Sequence, residues 1–176
     1  MSLPTASTPS KFLLLSLIGG GVIILDQISK FYVQDAFRLH ESVSVIDGFF
    51  SLTYIRNPGA AFGFLADQDG VFRAIFFLTV SVIALSLLVY FFLQTPKEDI
   101  SALIAISLLF GGAIGNLIDR LRLGEVVDFL DFYIGQYHWP AFNVADSAIT
   151  VGIILLMLNL FFQKKDVARQ TIEIRQ

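Results

Sequence analysis

The sequence predicts an all-α polytopic membrane protein with four transmembrane helices, a small antiparallel β element and surface loops on the extracytoplasmic side. Three observations lead to this fold class. Hydrophobic residues make up 55% of the 176-residue chain, and the mean hydropathy of +0.72 is far above that of a soluble domain. Four stretches without any Asp, Glu, Lys or Arg occupy residues 12–25, 74–93, 100–118 and 147–163. Because a membrane-crossing helix needs about 20 residues, the last three stretches qualify outright or nearly so.

The first apolar stretch is too short to cross a membrane by itself. It becomes long enough only if the helix continues through Asp26 and Lys30 to about Val33, which places two charges in or near the interface. A cleaved signal peptide is the competing interpretation of an apolar run of this length near the amino terminus. No small-x-small cleavage pattern follows Leu25, so we predict a first span over residues 12–33.

Residues 42–56 follow the first span and alternate apolar with polar side chains around Asp47-Gly48, a turn signal. This pattern predicts a small antiparallel hairpin lying at the membrane surface. Residues 57–63 contain several residues that favour turns, namely Asn57, Pro58, Gly59 and Gly63, so we predict no regular secondary structure there.

The remaining spans are predicted at residues 71–93, 100–121 and 143–163, in a single membrane domain. Residues 94–99 form so short a connection that the second and third spans should be antiparallel neighbours. Residues 121–141 are expected to be a longer loop whose aromatic side chains favour the headgroup level. We expect residues 1–10 to be disordered and residues 164–176 to form a cytoplasmic tail.

Charge distribution sets the orientation only weakly, since an even number of spans divides the 12 Lys and Arg residues six against six. We favour cytoplasmic termini because Lys164 and Lys165 directly follow the fourth span. The formal net charge of −3 and the lack of a basic stripe predict no nucleic-acid partner. With no cysteine and only two histidines, the sequence predicts no disulfide framework, no metal site and no cofactor.

Four alternating spans bring most of the membrane-depth polar residues to the face opposite the termini. These residues are Asp26, Asn57, Asn116, Asp119, Arg120, Asp128, Asn143 and Asp146. An unpartnered Asp at membrane depth costs a few kcal/mol, so such residues usually mark a site or an ion pair. Asp128 and Asp146 are separated by a loop that could fold back, and a facing pair of carboxylates can supply general acid and general base catalysis.

Most of these residues also have a purely structural interpretation. Asp26 and Lys30 are four residues apart, which favours an ion pair on one helix face. Asp119 and Arg120 could form an interfacial charge pair. Asn143 can cap the helix that Asp146 begins, and the small residues at 111–115 suit close helix packing.

Five motifs resemble those of the bacterial lipoprotein signal peptidases, also called signal peptidase II. In chain order they are Asp26-Gln27-x-x-Lys30, Asn57-x-Gly59-Ala60-x-Phe62-Gly63, Gly115-Asn116-x-x-Asp119-Arg120, Val126-Val127-Asp128-Phe129 and Phe142-Asn143-x-Ala145-Asp146-Ser147. The resemblance runs from about residue 11 to residue 163.

This resemblance implies an aspartic endopeptidase of the bacterial inner membrane, with its active site at the extracytoplasmic face. The expected substrate is a prolipoprotein carrying diacylglyceryl on a cysteine, cut just before that cysteine. The resemblance assigns the catalytic pair to Asp128 and Asp146. It gives binding or supporting roles to Asn57, Gly59, Asn116, Arg120 and Asn143, and structural roles to Asp26, Lys30 and Asp119. Membrane lipid is the other expected partner, and we expect a monomer.

Two other functions remain open on the residues alone. In a small proton-coupled transporter or channel, Asp26, Asp119 and Asp146 would relay protons, although no chain of acids crosses the midplane. A structural or assembly subunit would contain the same polar cluster without activity.

Overall fold

The computed structural model describes residues 10–59 and 68–173, with side chains as far as residue 163. Within these residues, four helices are long and apolar enough to cross a membrane. They are Lys11–Ala36 (α1), Gly70–Gln94 (α2), Ile100–Leu123 (α3) and Val144–Glu173 (α4). The predicted four-span fold class is therefore confirmed. As predicted, the first span is long enough because α1 continues through Asp26 and Lys30.

The helix ends differ from the predicted spans by a few residues at most, except at α4. Its apolar part ends at Gln163, but the helix continues to Glu173. The side of the membrane on which residues 164–176 lie stays a prediction. The disorder expected over residues 1–10 falls almost entirely outside the described residues.

Side-chain caps begin the helices where the sequence changes from loop to apolar run. Asp69 accepts hydrogen bonds from the backbone nitrogens of Val71 and Phe72, and Asp99 accepts one from Ala102. Such caps satisfy backbone donors that lack a partner in the first turn and contribute about 1 kcal/mol each. Gly124 ends α3 in the left-handed region, at φ 75°, where glycine is unstrained.

The third helix, α3, lies at the centre and packs on α1, α2 and α4. In the most apolar 18-residue stretch of α3, 56% of the residues are buried. The corresponding values for α1, α2 and α4 are 11%, 6% and 17%. The outer faces of those helices present large apolar side chains, including Leu25, Ile83 and Phe161. A surface of this kind suits contact with lipid tails rather than water.

Small residues on α3 allow this close packing, as the sequence predicted. A Cβ atom added at Gly111 would lie 2.7 Å from the backbone oxygen of Gly19 on α1. At Gly115 it would lie 2.6 Å from the Asp26 Oδ2 atom. Both distances are too short for a real contact, so only glycine lets the backbones and the Asp26 carboxylate approach α3 this closely.

Gly115→Ala should therefore displace the Asp26 carboxylate and destabilise the protein by about 1–3 kcal/mol, the usual cost of overpacking. The measurement is thermal unfolding of the detergent-solubilised protein. Gly21→Ala is the matched control, since nothing lies within 4 Å of a Cβ atom at that position. Equal melting temperatures for the two variants would contradict this packing role.

A four-stranded antiparallel sheet in the order β1-β2-β3-β4 accompanies the helices. Its strands are Ser42–Ile46 (β1), Phe50–Asn57 (β2), Val126–Ile134 (β3) and Tyr137–His138 (β4). The predicted hairpin is confirmed as β1 and β2, with Gly48 at φ 76° in its turn. A β-bulge in β2 between Leu52 and Ile55 shifts the register so that Ile55 lies opposite Asp128.

The prediction of a loop over residues 121–141 is wrong, because this segment contains β3 and β4. The strand β3 pairs along most of its length with β2 and buries Val127 and Phe129, whereas Tyr137 and Trp139 after it are exposed. Val127 and Phe129 pack with Val33 of α1 and Tyr54 of β2. The run of β-branched and aromatic residues at 126–134 is the signal that could have indicated this strand.

Candidate active site

The carboxylates of Asp128 and Asp146 both accept hydrogen bonds from one buried residue, Asn143. The Nδ2 atom of Asn143 donates to Asp128 Oδ1 at 2.8 Å, and its backbone nitrogen donates to Asp146 Oδ2 at 3.2 Å. Asp128 comes from the middle of β3 and Asp146 from the first turn of α4. The fold therefore brings the two carboxylates of the predicted pair to a common donor.

The predicted helix cap at Asn143 is present, and it is reciprocal. Asn143 Oδ1 accepts a hydrogen bond from the backbone nitrogen of Asp146 at 2.9 Å, while the Asp146 carboxylate accepts from the backbone nitrogen of Asn143. This arrangement is a capping box, with an acidic residue at the third helical position. It fixes the orientation of the Asp146 side chain at the start of α4.

The second oxygen of each carboxylate accepts a hydrogen bond from the side-chain amide of another asparagine. Asn57 Nδ2 donates to Asp128 Oδ2 at 2.9 Å, and Asn116 Nδ2 donates to Asp146 Oδ1 at 2.8 Å. Asn57 is itself oriented by Gly59, whose backbone nitrogen donates to Asn57 Oδ1 at 3.0 Å. Both carboxylates are thus held by neutral donors, which position them without supplying a compensating charge.

A buried ion cluster lies directly behind this layer. The Lys30 ammonium contacts three acceptors: Asp26 Oδ2 at 2.9 Å, Asp119 Oδ2 at 2.8 Å and Asn116 Oδ1 at 2.9 Å. The side chains of Lys30, Asp26 and Asp119 are at most 1% exposed. An ammonium group has three donors, and here every one has a partner.

The cluster also holds the backbone beside each carboxylate of the pair. Asp26 Oδ1 accepts from the backbone nitrogen of Ala145 at 2.9 Å, next to Asp146. Asp119 Oδ2 accepts from the backbone nitrogen of Val127 at 3.1 Å, next to Asp128. The Asp26–Lys30 ion pair forms as the spacing indicated, but Asp119 pairs with Lys30 rather than with Arg120, so the interfacial pair considered for Asp119 is wrong.

Gln27 belongs to the same cluster and was not singled out in the sequence. Its Nε2 atom lies 3.2 Å from Asp26 Oδ2 and 3.1 Å from Asp119 Oδ1. Gln27 therefore bridges the two carboxylates that share Lys30. The adjacency of Gln27 to Asp26 within one motif was the available signal.

Arg120 extends along the same site from the end of α3. Its guanidinium lies 5.2 Å from the centre of the Phe77 ring of α2, within range of a cation–π contact. It lines the cavity that both aspartates border, so a cation faces the space beside the pair.

The cavity beside the two aspartates has a volume of about 570 Å³. Its polar end is formed by Asn57, Gly59, Asn116, Arg120, Asp128 and Asp146. Its other walls are largely apolar and come from residues 139–142, which we call the wall segment, and from Ile149 and Val151 of α4. The sequence assigned the wall segment no role in the site, although Phe142 opens the fifth motif.

Burial, the larger cause, and the nearby negative charge of Asp146 together raise the pKa of Asp128 from its ordinary value to about 7. The hydrogen bonds from Asn57 and Asn143 act in the opposite direction and are smaller in effect. Asp128 can therefore keep a proton at a pH where an ordinary aspartic acid has lost it.

A family model described as Signal peptidase (SPase) II matches residues 18–162, which is most of the chain. The chain belongs to the signal peptidase II family. The resemblance that the five motifs indicated is confirmed, and the protein is a multi-pass membrane peptidase. Membership of a peptidase family argues against the transporter and assembly-subunit interpretations.

Relatives in the signal peptidase II family match over nearly their full length. The Lipoprotein signal peptidase of Syntrophus aciditrophicus is 52% identical over 157 residues, covering 89% of this chain and 98% of the relative. That of Geobacter sulfurreducens is 50% identical over 145 residues, covering 82% and 89%. A solved bacterial membrane enzyme, determined by the in meso method at 2.3 Å resolution, is 40% identical and superposes with a TM-score of 0.78 over 86% of this chain and 90% of that one.

Proposed function

We propose that this protein is an aspartic endopeptidase that removes signal peptides from diacylglyceryl-modified prolipoproteins, with Asp128 and Asp146 as the catalytic residues. The observation that carries the proposal is the pair of carboxylates held on Asn143 at the edge of a largely apolar cavity. The names of the relatives support the substrate class.

The surroundings of the two carboxylates support different roles for them. Asp146 lies at the amino end of α4, where the helix dipole favours a negative charge, so we assign it as the base. Asp128, with a pKa of about 7, holds the proton. One carboxyl group that keeps its proton, beside another that is favoured as the anion, forms an acid and base pair.

The reaction then follows from these protonation states. Asp146 accepts a proton from water as the water oxygen bonds to the scissile carbonyl carbon, and Asp128 donates its proton to the developing oxyanion. When the tetrahedral intermediate collapses, the carbon–nitrogen bond breaks, Asp146 gives its proton to the leaving amine, and Asp128 takes back the proton of the hydroxyl group that becomes the product carbonyl. Asn57 and Arg120 border the same space and provide fixed donors for the oxyanion or the substrate backbone, while Gly59 holds Asn57 in place.

The apolar walls of the cavity suit the lipidated end of the substrate. Ile149 and Val151 lie on α4, whose outer face also presents apolar side chains. The diacylglyceryl chains lie against this helix in the bilayer, and the extended peptide passes beside the pair with its lipidated cysteine following the cut bond. The enzyme works as a monomer in the bacterial inner membrane.

The site faces the extracytoplasmic side in this proposal, with both termini in the cytoplasm. Reporter fusions after Gln94 and after Gln176 should both report a cytoplasmic position. A fusion after Gln136, in the turn between β3 and β4, should report the opposite side. An extracytoplasmic reporter at Gln176 would reverse the orientation without changing the number of spans.

The test of the function is a cleavage assay with purified protein and a full-length prolipoprotein, prepared with and without its diacylglyceryl group. We expect release of the signal peptide only from the lipidated substrate, with the lipidated cysteine at the new amino terminus by mass spectrometry. Equal cleavage of both substrates would contradict lipid recognition. A folded protein that cleaves neither would contradict the proposed function.

A further inference from the structure

The wall segment, residues 139–142, connects β4 to Asn143, and β3 fixes its carboxyl end. The backbone nitrogen of Phe142 donates to the Leu130 oxygen at 3.2 Å, and its own oxygen accepts from Phe129 and Leu130. Its ring is stacked on that of Phe132, with 5.8 Å between centroids. The end of the wall segment next to Asn143 is therefore held by both backbone and side-chain contacts.

The wall segment begins at Trp139, directly after the two-residue strand β4, and the backbone nitrogen of Trp139 donates to the Phe132 oxygen at 2.8 Å. Two backbone pairs, Tyr133 with His138 and Ile134 with Tyr137, join β4 to β3, and so short a strand is weakly held by its ladder alone. His138 supplies additional contacts. Its Nδ1 atom lies 2.8 Å from Asp131 Oδ1, and its ring is stacked on Tyr133 at 4.8 Å with an interplanar angle of 14°.

Asp131 is a largely buried carboxylate, with 11% of its side chain exposed, whereas the His138 side chain is 52% exposed. Thr53 Oγ1 is a more distant donor to Asp131, at 3.4 Å. A carboxylate taken out of water needs a hydrogen-bond donor, and the 2.8 Å contact with His138 Nδ1 is shorter than the contact of Asp131 with Thr53. The contact with His138 therefore satisfies a largely buried acceptor of β3.

This pair does not lie in the cavity. Successive side chains of a strand point to opposite faces of the sheet, so Asp131 and Asp128, three positions apart on β3, face opposite ways. Neither His138 nor Asp131 borders the cavity, but the wall segment that begins at the next residue does. Any effect of the pair on the site must pass through the backbone of the wall segment.

We propose that His138 and Asp131 are positioning residues, which fix the wall segment from behind the sheet and so set the shape of the substrate cavity. This inference rests on the proposed function, because the wall segment matters for catalysis only if substrate occupies the cavity. A half-exposed contact of this kind is of modest strength, equivalent to about a fivefold change in an equilibrium constant. When the contact between His138 and Asp131 is lost, we expect KM for the lipidated substrate to rise about fivefold, because the cavity matches the substrate less well.

The first test is independent of enzymatic activity. Trp139 is the single tryptophan of the chain and directly follows His138, so its fluorescence anisotropy reports the mobility of the wall segment. We expect the fluorescence anisotropy of Trp139 to fall in His138→Ala. His138→Asn should restore most of it, since the asparagine Nδ2 can donate from the place of the histidine Nδ1. Tyr137→Ala, at an 87% exposed position in the same strand, is the matched control and should leave the anisotropy unchanged.

The second test is the kinetics of cleavage of the lipidated substrate. We expect KM to rise about fivefold in His138→Ala, with kcat and melting temperature near those of the parent, and to recover in His138→Asn. An unchanged anisotropy and KM in His138→Ala, or equal changes in Tyr137→Ala, would overturn the inference. If the parent protein cleaves no prolipoprotein, the proposed function fails, while the anisotropy of the variants still decides whether the pair positions the wall segment.

Discussion

Asp128→Asn and Asp146→Asn will each lower the rate of prolipoprotein cleavage by about a thousandfold or more, the scale expected when a general acid or base is removed. The double variant will be little slower than either single one. Both carboxylates depend on Asn143, and each step of the proposed reaction needs both. Groups that act as one unit are strongly non-additive, because loss of either removes nearly the whole effect.

The measurement is single-turnover cleavage of lipidated substrate by folded, membrane-inserted variants with matched melting behaviour. Asparagine retains the size of the side chain and loses the titratable proton, so substrate binding should survive. Asp35→Asn is the control, since this aspartate is exposed near the end of α1. A folded single variant that cleaves at nearly the parent rate would exclude the aspartic mechanism.

Lys30→Ala will produce the largest loss of stability, about 3–5 kcal/mol, because removing one member of a buried ion cluster leaves the others uncompensated. Two carboxylates, Asp26 and Asp119, face this single ammonium. Asp26→Ala will also destabilise the protein, since Ala145 at the start of α4 loses its acceptor. The double variant Asp26→Ala with Lys30→Ala will lose less stability than the sum of the two single losses.

Thermal unfolding in detergent measures these losses. Lys97→Ala is the matched control, because Lys97 is 67% exposed in its contact with Glu98, and its melting temperature should stay near that of the parent. Additive losses for the Asp26 and Lys30 changes would show that the two side chains do not interact.

The fold was predictable from the sequence wherever one local pattern decides the structure. Apolar runs of membrane-crossing length define the four helices, and Asp47-Gly48 marks the first hairpin. The strand β3 was not predicted because Val127 and Phe129 are buried on one face while Val126 and Asp128 are buried on the other. Burial on both faces removes the alternation of polar and apolar residues by which a strand is usually found.

The site was predictable as a set of residues on one face, but its contacts were not. The pairing of Lys30 with Asp119 joins positions far apart in the chain, which no spacing rule connects. Asn143 could be predicted to cap α4, but its second contact, with Asp128, depends on how β3 lies against the start of that helix. Such contacts follow from the packing of α1, α3 and the sheet, which residue patterns along the chain do not encode locally.

The most direct test of a proton-sharing pair is the titration of the Asp128 carboxyl group by carbon-13 NMR, with its signal assigned by its loss in Asp128→Asn. We expect the pKa of Asp128 to be about 7 in the parent protein, raised by burial and by the charge of Asp146. In Asp146→Asn the second cause is gone, so the pKa of Asp128 should fall while remaining above the ordinary aspartate value because the group is still buried. Asp35→Asn should leave it unchanged. An Asp128 group that ionises at an ordinary aspartate pH in the parent, or whose pKa does not respond to the loss of the Asp146 charge, would contradict the account.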